Sequence, residues 1–292
     1  MMTDLSRSRI ENSGRGAAAR EIDARAGVVR AGMVALAGLL SLVAVRGVRA
    51  QEYVAQTAAV SAAAARMPVP LSQGEHLTFD VSFGALRVGE AHMEVVGIEN
   101  IRGREAWHTR FRVKGGVPFY RVNDKLESWI DTRTFHSLRF VQDLEEGGRE
   151  RQRHFEIFPE RGSWIEKGKE SQPGVADPLD DGAFLFFVRT LPLEVGKTYE
   201  FDRYFRPDRN PVRIKVLRRE RISVPAGEFE TIVIQPVIKT KGIFSEKGHA
   251  EMWLTDDERR MVVQLKSRLS IGSLNLHLSA FTPGAAPSDG AP

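Results

Sequence analysis

With 292 residues, 27% of them charged and none of them cysteine, the chain has the length for one large domain or two ordinary ones and no means of making a disulfide or of thiol chemistry. Its 42 basic and 38 acidic residues are unevenly spread: the first 50 residues carry eight arginines and four acids, which leaves 34 of each sign in the remainder. A body of zero net charge offers no electrostatic case for binding nucleic acid.

Residues 31–45 form a largely apolar run. Arg7, Arg9, Arg15, Arg20, Arg25 and Arg30 precede it, and Val48-Arg49-Ala50 follows with small side chains at −3 and −1. Residues 1–50 are therefore predicted to be a secretory signal peptide cut before Gln51, and the protein to be exported to the periplasm. The run is shorter than the roughly 20 residues of a membrane helix, so no stable span is expected after cleavage; retention as an anchor is the alternative. Residues 51–73, rich in Ala and Pro, read as a linker, 74–282 as a single β domain, and 283–292 as a disordered tail.

From Glu75 the period is two. Leu77, Phe79, Val81 and Phe83 alternate with His76, Thr78, Asp80 and Ser82, which predicts a strand with one buried face. Residues 84–89 are predicted to turn, 90–98 to return with Ala91, Met93 and Val95 inward, and Trp107, Thr109, Phe111 and Val113 to form a third strand. Gly115-Gly116-Val117-Pro118-Phe119-Tyr120 breaks the alternation and reads as a hairpin tip. Further strands are predicted at 125–130, 138–144, 149–158 and 163–166.

One helix is predicted, capped by Asp177 with Pro178 at its first position and Asp180 and Asp181 in its first turn. Phe184, Phe187, Val188 and Leu191 would make its apolar face. Strands are then predicted at 198–205 and 211–220, a turn at 224–229, and strands at 231–239, 261–269 and 273–279.

The chain contains an internal echo. Glu127-Ser128-Trp129-Ile130 and Glu251-Met252-Trp253-Leu254 are each followed by an Asp-containing turn and an alternating strand, and each is preceded by a Gly-aliphatic tip. Two copies of one hairpin unit would explain this; so would the features common to any pair of antiparallel hairpins.

At Val224-Pro225-Ala226-Gly227-Glu228-Phe229, at the E-x-W-L-x-D run from Glu251 to Asp256 with Arg259-Arg260 after it, and at Gly89-Glu90-Ala91-His92, the sequence resembles the bacterial exported family catalogued as domain of unknown function 3108. The resemblance spans roughly Leu77 to Leu278, and its motifs are structural. It implies no catalytic residue. The plan is also similar in outline to the curved sheets of periplasmic lipoprotein carriers, an analogy of architecture alone.

The sequence holds no H-x-H, H-E-x-x-H, G-x-S-x-G or phosphate-loop motif, and its seven histidines are scattered, with His76, His108 and His277 expected on wet faces. No catalytic, metal or cofactor site is therefore predicted. Asp180-Asp181 and Asp256-Asp257 read as helix-start and turn acids. Phe184, Phe186, Phe187, Leu191, Trp129 and Trp253 are candidates to line an apolar pocket, or simply to pack the helix on the sheet. Val117, Phe119, Tyr120, Ile243 and Phe244 are candidate interaction tips.

The expected fold is all-β, a strongly curved antiparallel sheet or open barrel with one short helix on its concave face. The expected function is non-enzymatic: binding or escorting a lipid or other apolar molecule in that face. The alternatives are an interaction module contacting envelope proteins through its tips, and a secreted hydrolase assembled from distant residues.

Overall fold

The computed structural model describes residues 70–117, 120–238, 250–269 and 272–285. The signal-peptide reading and the linker up to residue 69, together with Phe119, Ile243 and Phe244, lie outside them; the last linker residues are described, and Leu71 is buried in the core.

Alternation translates into one large sheet. Its strands are β1 (His76–Phe83), β2 (Leu86–Ile101), β3 (Arg104–Val117), β4 (Tyr120–Asp131), β5 (Ser137–Glu146), β6 (Arg149–Phe158), β7 (Ser163–Glu166) and β8 (Ser171–Pro173). After the helix α1 (Asp181–Phe187) come β9 (Thr198–Phe201), β10 (Val212–Val224), β11 (Gly227–Val237), β12 (Glu251–Thr255), β13 (Val262–Leu269) and β14 (Gly272–Thr282). These 14 strands run in the order β8-β7-β6-β5-β4-β3-β2-β1-β14-β13-β12-β11-β10-β9. Every neighbouring pair is antiparallel. The first and last strands thus pair in the middle and join two meanders.

The edges β8 and β9 do not pair with each other, so the sheet is barrel-like without being closed. Segments next to them span the gap. Leu179 and Tyr204 form a parallel bridge, and the Phe205 ring meets Phe155 at 5.3 Å and Trp164 at 5.5 Å. Aromatic burial replaces the missing ladder.

The inward residues Leu77, Phe79, Val81, Ala91, Met93 and Val95 join α1 and the inward residues of β10–β14 in one core. The helix packs on β3 and β4. All of Gly182 to Phe187 is buried, so the predicted single apolar face understates its enclosure. Its cap is Asp180 rather than Asp177: Asp180 Oδ1 accepts from the backbone N–H of Gly182 and Ala183, both at 2.9 Å.

Other boundaries also differ. The first tip is confined to Gly84 and Ala85, with β2 starting at Leu86. Gly115 and Gly116 belong to β3 rather than to a turn. A Cβ on Gly115 would stand 2.5 Å from the Val88 carbonyl oxygen, so glycine there serves the close approach of β2 and β3. β9 stops at Phe201, and Gly227 to Phe229 already belong to β11.

Candidate functional site

The helix start is the most polar part of the interior. Asp180 is fully buried; its Oδ1 also accepts from Ser128 Oγ at 2.6 Å, while Oδ2 has no partner among the described residues. Burial pushes its carboxyl up to about 6, partly offset by the Ser128 hydroxyl and the Ala183 N–H. Burial likewise raises Asp181, opposed by the Tyr204 hydroxyl that donates to it at 3.0 Å. Gly182 is required here because a Cβ would lie 2.4 Å from Ser128 Oγ. Two carboxyls, a serine and a tyrosine therefore lie within hydrogen-bond reach, inside packed protein, and their visible work is to seat the helix on β4.

The segment after the helix carries a second buried polar group that the sequence reading missed. Arg189 is 1% exposed and grips Glu75 bidentately at 2.6 and 2.9 Å, with further bonds to the carbonyls of Pro70 (2.6 Å) and Arg259 (2.8 Å). It ties the chain entering β1 to the β12–β13 turn. In the run Phe187-Val188-Arg189-Thr190 a lone arginine reads as a wet position; only its apolar flanks hint at burial.

Phe184, Phe186, Phe187 and Leu191 are 2, 1, 2 and 0% exposed, so protein already occupies their surface. The Phe187 ring meets Phe201 at 5.1 Å and Phe135 at 6.0 Å. Trp129 and Trp253 do not join them. Ile130, Met252 and Leu254 face the core, and the tryptophans alternating with them face outward. Trp129 belongs to a small outer cluster with Ile101, Ala106 and Leu138. Alternation with Ile130 and Leu254 was the sequence signal for this. His108, expected wet, is buried, stacked on Trp129 at 4.4 Å with Glu99 and Glu127 beside its nitrogens at 2.8 and 3.2 Å. Long outward side chains cover one another here, which alternation alone does not reveal.

Away from the helix the inner wall changes character. Val88, Phe111, Val113, Leu126 and Leu274 pack against the core yet stay only partly buried. They lie toward the end of the sheet where β1–β2, β3–β4, β5–β6 and β13–β14 connect. At that end Leu86, Val117 and Tyr120 are exposed, Leu86 by 61% and Tyr120 by 51%. Among the described residues no group of three or more His, Cys, Asp or Glu is placed to hold a metal ion, and no helix is long and apolar enough to cross a membrane.

No curated protein matches the chain. Among solved structures it is similar to a beta-barrel-like protein of domain of unknown function DUF1849 from Brucella abortus, at 10% identity and TM-score 0.48, over 74% of this chain and 100% of that one. It is also similar to a candidate lipoprotein from Parabacteroides distasonis (11%, TM-score 0.33, 74% and 97% covered). A third likeness is to a candidate exported protein of YmcC-like fold from Bacteroides fragilis (12%, TM-score 0.29, 74% and 99% covered). At these identities and scores the likenesses carry no argument about activity. The model of the family described as protein of unknown function (DUF3108) matches residues 78–279, more than half of the chain, and the chain belongs to that family.

Proposed function

We infer that the protein is an exported, non-catalytic envelope protein that takes an apolar ligand, such as a lipid acyl chain, on the inner wall of its sheet. The observation that carries this reading is the contrast along that wall. Under the helix it is packed shut, while Val88, Phe111, Val113, Leu126 and Leu274 remain half-buried although they point inward. Apolar inward surface left partly wet costs about 25 cal/mol per Å², which an inserted chain would recover. The helix phenylalanines then form the floor of the space rather than its lining.

Native mass spectrometry of the protein released from an envelope extract is the test. The expected result is an added lipid mass that is lost in Val113→Glu, with the fold retained by circular dichroism. Protein without added mass that also fails to take up a fluorescent fatty acid would overturn the reading.

Leu86, Val117 and Tyr120, exposed at the same end, favour a second reading in which the tips contact an envelope protein. Replacing all three by Ser separates the two: loss of a co-purifying protein with lipid uptake intact supports tip contacts, and loss of lipid with partners unchanged supports the inner wall.

A further inference from the structure

The outer face of β2 and β3 holds a cleft of about 620 Å³ that the inner-wall reading does not use. Its floor is Gly89 and Gly115, directly opposed in register. The two strands approach so closely that a Cβ on Gly89 would stand 2.3 Å from the Lys114 carbonyl oxygen. Glycine at both positions serves this close approach of the two backbones. The walls are Arg87, His92, Arg112, Lys114 and a single acid, Glu90.

The charges in the cleft are not balanced from within the protein. Glu90 is occupied by His92 at 2.8 Å and lies 3.8 Å from Arg87, which pairs more closely with Asp80 at 2.6 Å. Among the described residues Arg112 reaches only the Asn123 amide oxygen, at 3.4 Å. Lys114 has no ion pair among the described residues although Glu90 is its cross-strand neighbour. Two residues before Arg112 on the same strand, Arg110 shows the ordinary arrangement, with Glu94 at 3.1 Å and Glu127 at 3.0 Å. A strand that pairs one cation with two acids and leaves the next two without any has charge to spare for a ligand.

We propose that this cleft binds a phosphate-type anion, held by Arg112 and Lys114 over the Gly89–Gly115 floor with Arg87 at the rim. A planar guanidinium and an ammonium converging on one space match the several oxygens of a phosphate. The cleft is much larger than a lone phosphate, which points to a phosphate borne on a larger body, either a soluble phosphorylated molecule or a lipid head group.

Titration calorimetry of the full chain with inorganic phosphate, and co-sedimentation with phosphatidylcholine vesicles lacking or containing about one third phosphatidylglycerol, read the site and its source. Saturable phosphate binding without preference for anionic vesicles means a soluble ligand, and preference for anionic vesicles means a head group; either supports the cleft. In both arms Arg112→Gln/Lys114→Gln is expected to weaken binding about tenfold, and added salt to weaken it further. Glu90→Gln, which removes the one acid, is expected to tighten it about threefold. Binding of neither probe, equal binding by the double variant, or weaker binding by Glu90→Gln would overturn the proposal. Should the double variant not fold, Glu90→Gln alone decides.

Discussion

The hairpin units around Trp129 and Trp253 are two versions of one device, and their differences show where the helix left its mark. In both, a register shift follows the tryptophan, between Trp129 and Ile130 and between Trp253 and Leu254. In both, an aspartate caps the next turn: Asp131 Oδ1 accepts from the N–H of Arg133 and Thr134 (2.9 and 2.8 Å), and Asp257 Oδ1 from those of Arg259 and Arg260 (3.1 and 3.2 Å). Each turn ends on a residue of positive φ, Phe135 at 57° and Arg260 at 48°. In the sheet β4 and β12 are separated by β3-β2-β1-β14-β13, so they run the same way, related by a step around the barrel-like sheet. Among the described residues the strand, register shift and aspartate turn of the echo thus recur in structure, while the second copy's Gly-aliphatic tip lies outside them.

The copies diverge at the residue before the tryptophan. Ser128 faces inward and binds the helix cap, whereas Met252 faces inward and is buried in the core. The helix α1 packs on β4 of the first copy, and a small hydroxyl residue beside Gly182 is what lets it come that close.

Both turns are also held by an arginine flanking the helix, with unequal stakes. Arg203 donates from Nη2 to the Phe135 carbonyl at 3.1 Å and from Nε to that of Asp177 at 3.0 Å; burial lowers its pKa to about 10. Arg189 holds the Arg259 carbonyl and, in addition, the buried Glu75 carboxylate. Arg189→Met leaves that charge buried and unpaired, and is expected to cost about 3–5 kcal/mol. Arg203→Met strands two carbonyls, removes the cation 4.6 Å over the Phe187 ring and leaves no buried charge unpaired, so it should cost about 1–2 kcal/mol. Urea denaturation of the two variants measures the gap, and equal losses would mean that the turns are held alike.

How much of this was legible follows from the distance over which each feature is decided. Strands written by neighbours two apart, such as Leu77, Phe79 and Val81, were readable, as was the echo, because its Glu-x-Trp-aliphatic pattern is local. Arg189 was not: its partner Glu75 lies 114 residues away, and nothing near either residue announces the pairing. The outer cleft was invisible for the same reason. Its glycines sit on different strands, and reading Gly115 as a turn residue follows from the absence of any local sign that Gly89 lies against it.

The helix seat is the next difference to break. Gly182→Ala places a methyl where Ser128 Oγ stands and should cost about 1–3 kcal/mol through strain and loss of the Ser128–Asp180 bond. Adding Ser128→Ala removes the obstructing oxygen, so the double variant is expected to be less destabilised than the sum of the single ones. Strict additivity in thermal denaturation would show that the serine and the glycine are not coupled through this contact.

The tryptophans provide the finest comparison. Each indole Nε1 donates to a glutamate, Trp129 to Glu99 at 2.7 Å and Trp253 to Glu220 at 2.6 Å, and each ring lies under a cation, Arg139 at 5.5 Å or Arg218 and Lys266 at 5.7 and 5.3 Å. Replacing either by Phe keeps a ring and deletes the donor, for an expected loss of about 1 kcal/mol. The copies differ in the cross-strand neighbour, which is His108 stacked 9° from coplanar with Trp129 and the aliphatic Val233 beside Trp253. His108 stacks on the indole and shares Glu99 with it, so Trp129→Phe also disturbs the histidine's surroundings. The expected signature is therefore a change in the chemical shifts of the His108 ring protons in Trp129→Phe, which removes the stacked indole, and none in Trp253→Phe. If both substitutions left those resonances unchanged, the stacked pair would be a packing contact no different from its aliphatic counterpart in the second copy.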